Sequence, residues 1–589
     1  MSHAPITREA QSAPNSAAAR LLHWLYVPRR FATLVLVGLG IGTAHVLSML
    51  PVGLVLGTSD FWIFPRGTMV GAENDMAQVL TGQLFLQHGP WAWPLLLAPD
   101  LGFPTGTNIF WLDAVPIVAL IAKLLDSVVH GPLNLLGFDL FACLMLPGIA
   151  MTGIVWVAGR RHVLAAVTAS AIADAAPSLL YRWGHIPLMA QYLIIAALGL
   201  YLLNLQRPRA WGVRVAWLAL LAVAVLTNIY LFVMVGACWT AALVQRRLNG
   251  AATTFGLGLE ALVAVIMVLG LRAATGILSA ASSGSDLNQI SGQGYGWLST
   301  NLGSLLVPQM SGVVPGLAHY QIGMMSQYEG FGYVGAGVLL LLLASLPGAL
   351  RWLRTAPRHH AALIVVLAGS FLFALSNRVF LGSHMLVTVP LPEFAQNLFG
   401  LLRSSGRFVW LTGYAIMAAS IVLALRRPAS WQTAVLCLIA ATLQIVDAAP
   451  LRANIVATVS GPAPAVLDRD RVAALAARSQ AIDVFPTYGC VDAAIAAGIE
   501  PESAWPRLTQ ANVEIELIAA RAGLPINSVY LSHLPTDCRE EAAQRSAPLR
   551  SGTLYLFLDT PRPTTEQLGG RDPADVCGEI DWLRYCLIP

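Results

Sequence analysis

The sequence predicts an all-α membrane protein that crosses the bilayer many times and carries a small α/β domain at its C-terminal end. Three observations lead there. Of 589 residues, 56% are hydrophobic and 11% charged, with a mean hydropathy of +0.65, whereas soluble domains carry about 25% charged residues. Apolar runs recur between Phe31 and Val446 at the length of about 20 residues that crosses a hydrocarbon core. From about Leu451 to Pro589 the composition turns polar, and four of the seven cysteines fall there. The formal charge of +4 is too small to signal nucleic acid. The basic residues are almost all arginine, with Lys123 the exception.

Residues 1–30 are rich in Ser, Ala and Arg and read as a disordered cytoplasmic segment. The first apolar run, Phe31 to about Leu56, exceeds the roughly 7–15 residues of a signal-peptide core and reads as a retained first helix. Arg20, Arg29 and Arg30 precede it, which puts the N-terminus inside. The stretch 57–130 is more polar. It holds Asp60, Glu73, Asp75, Asp100 and Asp113 among Trp62, Trp91, Trp93 and Trp111, and tryptophan favours the membrane–water boundary. It reads as a large outside loop lying on the bilayer, ending in a short re-entrant or interfacial helix from Asp113 to about Val129.

Further spans are expected at Phe138–Ala158, from Val163 to near Asp174–His185, and at Pro187–Leu205, Val213–Leu226, Leu231–Val244, Phe255–Leu278, Phe331–Leu350, Ala361–Leu375, Phe408–Leu425 and Thr433–Val446. Those running inward end at Arg160-Arg161, Arg207 and Arg209, Arg246-Arg247, Arg351 with Arg354 and Arg358, and Arg426-Arg427. That asymmetry implies about eleven spans with the C-terminus outside. Ser279–Gly330 and Asn377–Ser405 are then outside loops, the second with an interfacial helix. Residues 31–450 form the membrane domain and residues 451–589 a separate outside domain. In the latter, Ala481–Phe485 and Thr553–Leu558 read as short buried strands and Ser503–Ala522 as an amphipathic helix.

Cys143, Cys238 and Cys437 lie in apolar runs and read as small packed side chains. Cys490, Cys538, Cys577 and Cys586 lie in the outside domain, where an even cluster suggests disulfides. Of the three pairings four cysteines allow, Cys490–Cys538 with Cys577–Cys586 is the expected one. No CxxC spacing supports a zinc site.

Ionisable residues at the bilayer are costly and usually functional. Those on the outside face fall in the first loop, in Asp174 to His185, in Ser279–Glu329 and in Asn377 to Arg407. A carboxylate set and an arginine set thus share one side of the membrane. A carboxylate base with an arginine anion clamp is the pairing that sugar transfer from a lipid phosphate requires.

Four patterns carry a resemblance: Glu73-Asn74-Asp75-Met76-Ala77-Gln78, Trp111-Leu112-Asp113-Ala114-Val115-Pro116, Tyr181-Arg182-Trp183-Gly184-His185 and Ser404-Ser405-Gly406-Arg407-Phe408. Together with the topology over about Phe31–Asp447, they resemble the GT-C superfamily of membrane glycosyltransferases, in a bacterial branch whose acid motif usually reads Gly-Asp-Pro-x-Gln-His. Here the Pro and His are absent and Asp75 is the matching acid.

The resemblance implies an inverting transferase in the bacterial inner membrane. It would move a sugar from a polyprenyl-phosphate donor to an envelope glycan, lipid or protein acceptor on the periplasmic side, with the C-terminal domain periplasmic. Asp75 is the expected general base. Asp60, Glu73, Asp113 and Glu329 are the candidates for a second acid or for acceptor contact, and Arg182, His185, Arg403 and Arg407 for the donor phosphate. Asp286 and His319 lie on a possible lid loop. Lys123 reads as a cation held at headgroup level. No cofactor is demanded, though Asp75 with Asp113 offers oxygen ligands that a hard ion such as Mg or Mn would accept. A transporter or flippase for a lipid-linked glycan is the alternative. It would call for inverted repeats and mid-membrane polar sites, and no repeat is found. A scaffold whose tail binds a wall polymer is a third reading.

Overall fold

The computed structural model describes residues 17–58, 72–129, 134–277, 295–320, 323–355, 357–460, 465–499, 501–531, 538–559 and 563–589. Asp60 and Asp286 lie outside the described residues, as do the side chains of Glu73 and His319.

The chain is mostly helical. Among the described residues, seven helices are long and apolar enough to cross a membrane: Leu136–Val157, Val163–Leu180, Ile186–Gln206, Ile229–Leu248, Thr254–Thr275, Arg358–Leu375 and Ser405–Ala424. Two further pairs qualify only as bent units, Ala17–Tyr26 with Phe31–Leu47 and Trp431–Asp447 with Ala449–Val459. Each break has a proline at hand, Pro28 in the first and Pro450 in the second, and proline removes the N–H a continuing helix would use. Trp211–Val225 and Ala336–Arg351 are shorter apolar helices.

Val163–Leu180 runs through the middle of the bundle and is almost wholly buried. Small residues let its neighbours approach: a Cβ on Gly38 would sit 3.0 Å from Ser170 Oγ, the use to which membrane bundles put glycine. Thr254–Thr275 and Arg358–Leu375 instead stand at the edge with Leu259, Leu262, Ile266, Val365 and Leu372 exposed. An apolar surface of this extent is compatible with a helical membrane protein, whose outer face meets lipid.

Three elements depart from expectation. Within the segment read as disordered, residues 17–26 form the helix Ala17–Tyr26, where Leu21, Leu22 and Leu25 recur at helical spacing. The helix of the first apolar run ends at Leu47, and a short turn of helix, Val52–Val55, follows Pro51 rather than one run reaching Leu56; the proline at its start explains the interruption. The 377–405 stretch holds the expected helix, Glu393–Gly400, but also an antiparallel hairpin of Arg378–Leu381 and His384–Thr388. Strands of four and five residues are too short for periodicity to separate from loop.

The C-terminal domain contains a four-stranded sheet in the order Ala481–Phe485, Thr553–Phe557, Leu583–Leu587, Cys577–Ile580. The first pair is parallel and the others antiparallel. Disulfides join Cys490 to Cys538 and Cys577 to Cys586, the latter across directly paired residues of two strands.

The domain is bonded to the first loop. The peptide of Ile526 accepts from Phe103 N (2.8 Å) and donates to Asp100 O (2.9 Å), while its neighbours bond the sheet, Ile482 N donating to Pro525 O at 2.9 Å. One extended segment therefore serves two partners, and the Trp505–Ala522 helix packs on the loop's own helix, Ala72–His88.

The loop helix is held at its far end by Lys123, which is buried and donates to the carbonyls of Leu86 (2.6 Å), Gly89 (2.9 Å) and Pro90 (3.1 Å). The last carbonyls of a helix have no partner of their own, so this cation is a cap rather than a headgroup-level side chain. Lys123→Met is expected to lower the stability of the detergent-solubilised protein by about 1–3 kcal/mol, read as a lower thermal midpoint; an unchanged midpoint would contradict the capping role.

Candidate functional site

Four segments far apart in sequence meet at one end of the bundle: the start of the loop helix, the turn 181–185, the short helix Met325–Gly330 and the turn Ser405–Phe408. Local geometry explains why these sequences deliver their side chains. Gly184 has φ 103°, a conformation that costs glycine nothing, and it turns the chain between Arg182 and His185. Gly406 packs so tightly that a Cβ there would fall 2.7 Å from Gly330 Cα. Only glycine lets the two backbones touch, and that contact brings Arg407 to Glu329.

Glu329 sits between two guanidinium groups. Arg182 Nη1 and Arg407 Nε both donate to its Oε2, at 2.9 and 2.8 Å. Arg182 also donates through Nη2 to the carbonyls of Tyr328 (2.8 Å) and Glu329 (3.0 Å), and stacks over the rings of Tyr181 and Trp410. Arg407 lies 4.6 Å from the centroid of the Tyr230 ring. The Arg182 and Glu329 side chains are 2% and 4% exposed. Burial pushes the Glu329 carboxyl up, but Arg407 and Arg182 outweigh it and hold the group well below the usual carboxylate range.

Asp75 responds in the opposite direction. Tyr530 donates its hydroxyl to Asp75 Oδ1 at 3.0 Å, and His185 Nε2 lies 3.3 Å from Oδ2. Burial dominates here and, with Asp113 and Glu329 nearby, outweighs the Tyr530 hydrogen bond and the attraction of Arg407, so the carboxyl is pushed up to about 7. His185 is pushed down to about 4, by burial first, with Arg182 and Arg407 adding to it against the pull of Glu329. Near neutral pH the ring is uncharged. Two carboxylates in one site are thus driven apart in proton affinity, the pattern from which acid and base roles are assigned.

Asp75, Val79, Asp113, Gly184, His185, Pro187, Leu188, Asn228 and Arg407 line one cavity of about 20 Å³, room for about one water. Asp113 reaches it from a left-handed backbone position, φ 51°, which aspartate tolerates better than most residues. It is not an N-cap of the following helix; Val115 is.

Of the expected site residues, Asp75, Asp113, His185 and Arg407 therefore come together at the cavity. Arg182 and Glu329 stand behind it as a buried support. Arg403 is half-buried and has no ion pair or hydrogen bond among the described residues. Asp75, Asp113 and His185 are groups an ion could use, although among the described residues no three of His, Cys, Asp or Glu converge as metal ligands.

Sequence reasoning missed Asn228 and Tyr530. Asn228 reads locally as a turn and does cap Ile229–Leu248, accepting from Tyr230 N at 2.9 Å. Tyr530 lies 455 residues from Asp75; the one hint is that it falls between Cys490 and Cys538.

The model for a domain of unknown function, DUF6311, matches residues 39–449, and that for the DUF6311 C-terminal domain matches residues 471–588. The chain belongs to the DUF6311 family. No curated protein matches the sequence. Asp75, Asp113, Arg182, His185, Asn228, Glu329 and Arg407 all fall within the DUF6311 segment, and Tyr530 within the DUF6311 C-terminal domain. The candidate site draws on both.

Two outcomes follow for stability. Glu329→Gln leaves the buried guanidinium of Arg182 and the half-buried one of Arg407 facing each other and is expected to destabilise the protein by about 3–5 kcal/mol, measured as thermal midpoint at pH 7. Because the folded Glu329 affinity for protons is depressed, its stabilising contribution is present above the unfolded value near 4.3 and fades only as pH falls below that. Asp75 has the reverse sign: the unfolded carboxyl ionises near 3.9 and the folded one at about 7, so its ionisation costs stability as pH rises between them. Asp75→Asn is expected to stabilise the protein by roughly 1–4 kcal/mol at pH 8 and hardly at all at pH 4, with the pH dependence of the melt as readout.

Proposed function

We propose that this protein is an inverting membrane glycosyltransferase of the GT-C type, which moves a sugar from a polyprenyl-phosphate donor to an acceptor hydroxyl of an envelope glycan, lipid or protein. The observation that carries the reading is the pairing at the cavity: a carboxylate whose proton affinity lies at about 7 faces the Arg407 guanidinium across space for a small group. A general base is most effective near the working pH.

In the proposed reaction Asp75 accepts the proton of the acceptor hydroxyl as its oxygen attacks the anomeric carbon. The bond from that carbon to the phosphate oxygen breaks, and its electron pair leaves with the polyprenyl phosphate. Arg407 is the proposed clamp for that phosphate. Its Nε is taken by Glu329, and its other N–H groups make no hydrogen bond among the described residues, which leaves them for an anion. Arg182 is fully buried and acts through Glu329, and we assign it positioning rather than phosphate contact. Asp113 and Asn228 are proposed to orient the acceptor. A divalent ion held by Asp75 and Asp113 is compatible with the donor set but no step requires one.

The topology adopted with this reading counts the seven long helices, the two bent pairs and the two short apolar helices as spans. The arginine-ended turns then face the cytoplasm. The site end and the C-terminal domain face the periplasm of a bacterial inner membrane, a side supported by the two disulfides in that domain.

Asp75→Asn tests the proposal. In membranes supplied with polyprenyl-phosphate sugars, and in the envelope glycans of a complemented deletion strain, transfer is expected to fall at least about 100-fold while the protein stays folded. Activity of the unaltered protein should drop about tenfold per pH unit below about 7, as Asp75 takes up its proton. Undiminished transfer by the variant would remove the reading.

A further inference from the structure

The contact that reaches furthest is the one between Asp75 and the C-terminal domain. Tyr530 is anchored at three points. Its hydroxyl donates to Asp75 Oδ1 at 3.0 Å. Its carbonyl accepts from Gln78 Nε2 at 2.6 Å, one turn along the same loop helix. Its ring stacks on Tyr488, with centroids 4.1 Å apart and planes 26° apart. Tyr488 precedes Cys490 by two residues, and the Cys490–Cys538 disulfide closes the segment that carries Tyr530. On the membrane-domain side, Gln78 and Asp75 are three residues apart and share a helix face. Two points of one helix therefore grip one residue of the tail.

We propose that Tyr530 is a positioning residue for the Asp75 carboxylate, so that the C-terminal domain completes the site at the end of the bundle instead of forming a separate module. The role of Asp75 as base rests on the proposed transferase reading; the coupling between Tyr530 and Asp75 rests on geometry alone.

The charged and titratable groups that face Asp75 are Tyr530 from the tail, His185 from the 181–185 turn, Asp113 from the turn after Ile109–Leu112, Tyr328 and Glu329 from Met325–Gly330 and Arg407 from Ser405–Phe408. Among them Tyr530 gives a hydrogen bond directly to the carboxylate. Burial and the neighbouring Asp75 push its own hydroxyl up, so it remains a donor throughout the physiological range. A donor to the ionised form favours that form. The tail thereby counteracts the burial that would otherwise keep Asp75 protonated and inactive as a base. It also holds one carboxylate oxygen still and leaves the other to face His185 and the cavity.

The test reads the protonation of Asp75 directly and needs no substrate. Full-length protein in membranes is treated with dicyclohexylcarbodiimide, which modifies protonated carboxyl groups, over pH 5 to 9, and the modification of Asp75 is quantified by peptide mass spectrometry. The Asp75 side chain is 26% exposed. The unaltered protein should show a labelling midpoint at about 7. In Tyr530→Phe the midpoint is expected to rise by roughly one pH unit. Gln78→Met, which frees the Tyr530 carbonyl without touching its hydroxyl, should shift the midpoint in the same direction by less, and it carries the test if Tyr530→Phe does not accumulate. Midpoints equal to that of the unaltered protein overturn the proposal. A transferase active in spite of Asp75→Asn would remove the reading of Asp75 as base while leaving the labelling shift standing. An unshifted midpoint removes the role of Tyr530 and leaves the transferase reading standing.

Discussion

One carboxylate between two guanidinium groups organises the end of the bundle. Glu329 is almost fully buried, and on its own such a charge would be driven to protonate. Arg182 and Arg407 reverse that, because two cations within 3 Å of the same oxygen outweigh the lost hydration. The arrangement ties the 181–185 turn, the Met325–Gly330 helix and the Ser405–Phe408 turn into one unit. It also leaves the cluster with a net positive charge beside the cavity. A buried triad of this kind is weak evidence for stability, since desolvation offsets much of the attraction. Its consequence here is geometric: it fixes where Arg407 stands and so where an anion would be met.

Asp75 shows what the same burial does without such compensation. Its hydrogen-bonding neighbour is a neutral hydroxyl and the imidazole 3.3 Å away is uncharged, so burial prevails and the proton affinity rises. The loop helix that carries Asp75 is pinned at one end by Lys123 and along one face by the tail domain. A carboxylate that is expensive to ionise is thereby kept in place by contacts distant from it, which is how strained or destabilised groups persist at functional sites.

Much of the fold was legible in the chain. Apolar runs and their arginine-ended turns mark most helices to within a few residues, because the lipid requirement for a long apolar helix leaves few alternatives. Trp211–Val225, Ala361–Leu375 and Val409–Ala424 fall close to where hydropathy put them. The strand Ala481–Phe485 and the Trp505–Ala522 helix were also apparent, since a buried β-branched run and a helical period are local signals. The break at Pro51 and the hairpin at 378–388 were not. The first depends on how the chain turns into the loop, and the second on strands too short to show a period.

At the site, the few charges of an apolar chain marked out a pool of candidates, and the resemblance carried by four short motifs drew Asp75, Asp113, His185 and Arg407 from it, with Glu329 beside them. Which of them would be support and which would face the cavity was undetermined, since that depends on whether a counter-ion arrives from another helix. Arg182 and Arg403 are alike as side chains; packing buries the first on Glu329 and leaves the second without an ion pair among the described residues. Tyr530 carries no local mark at all. Hydropathy and charge, which act within a run of residues, determined the apolar helices and the pool of candidates. Proton affinity, ion pairing and the joining of tail to loop act between segments hundreds of residues apart, and only the folded chain decided them.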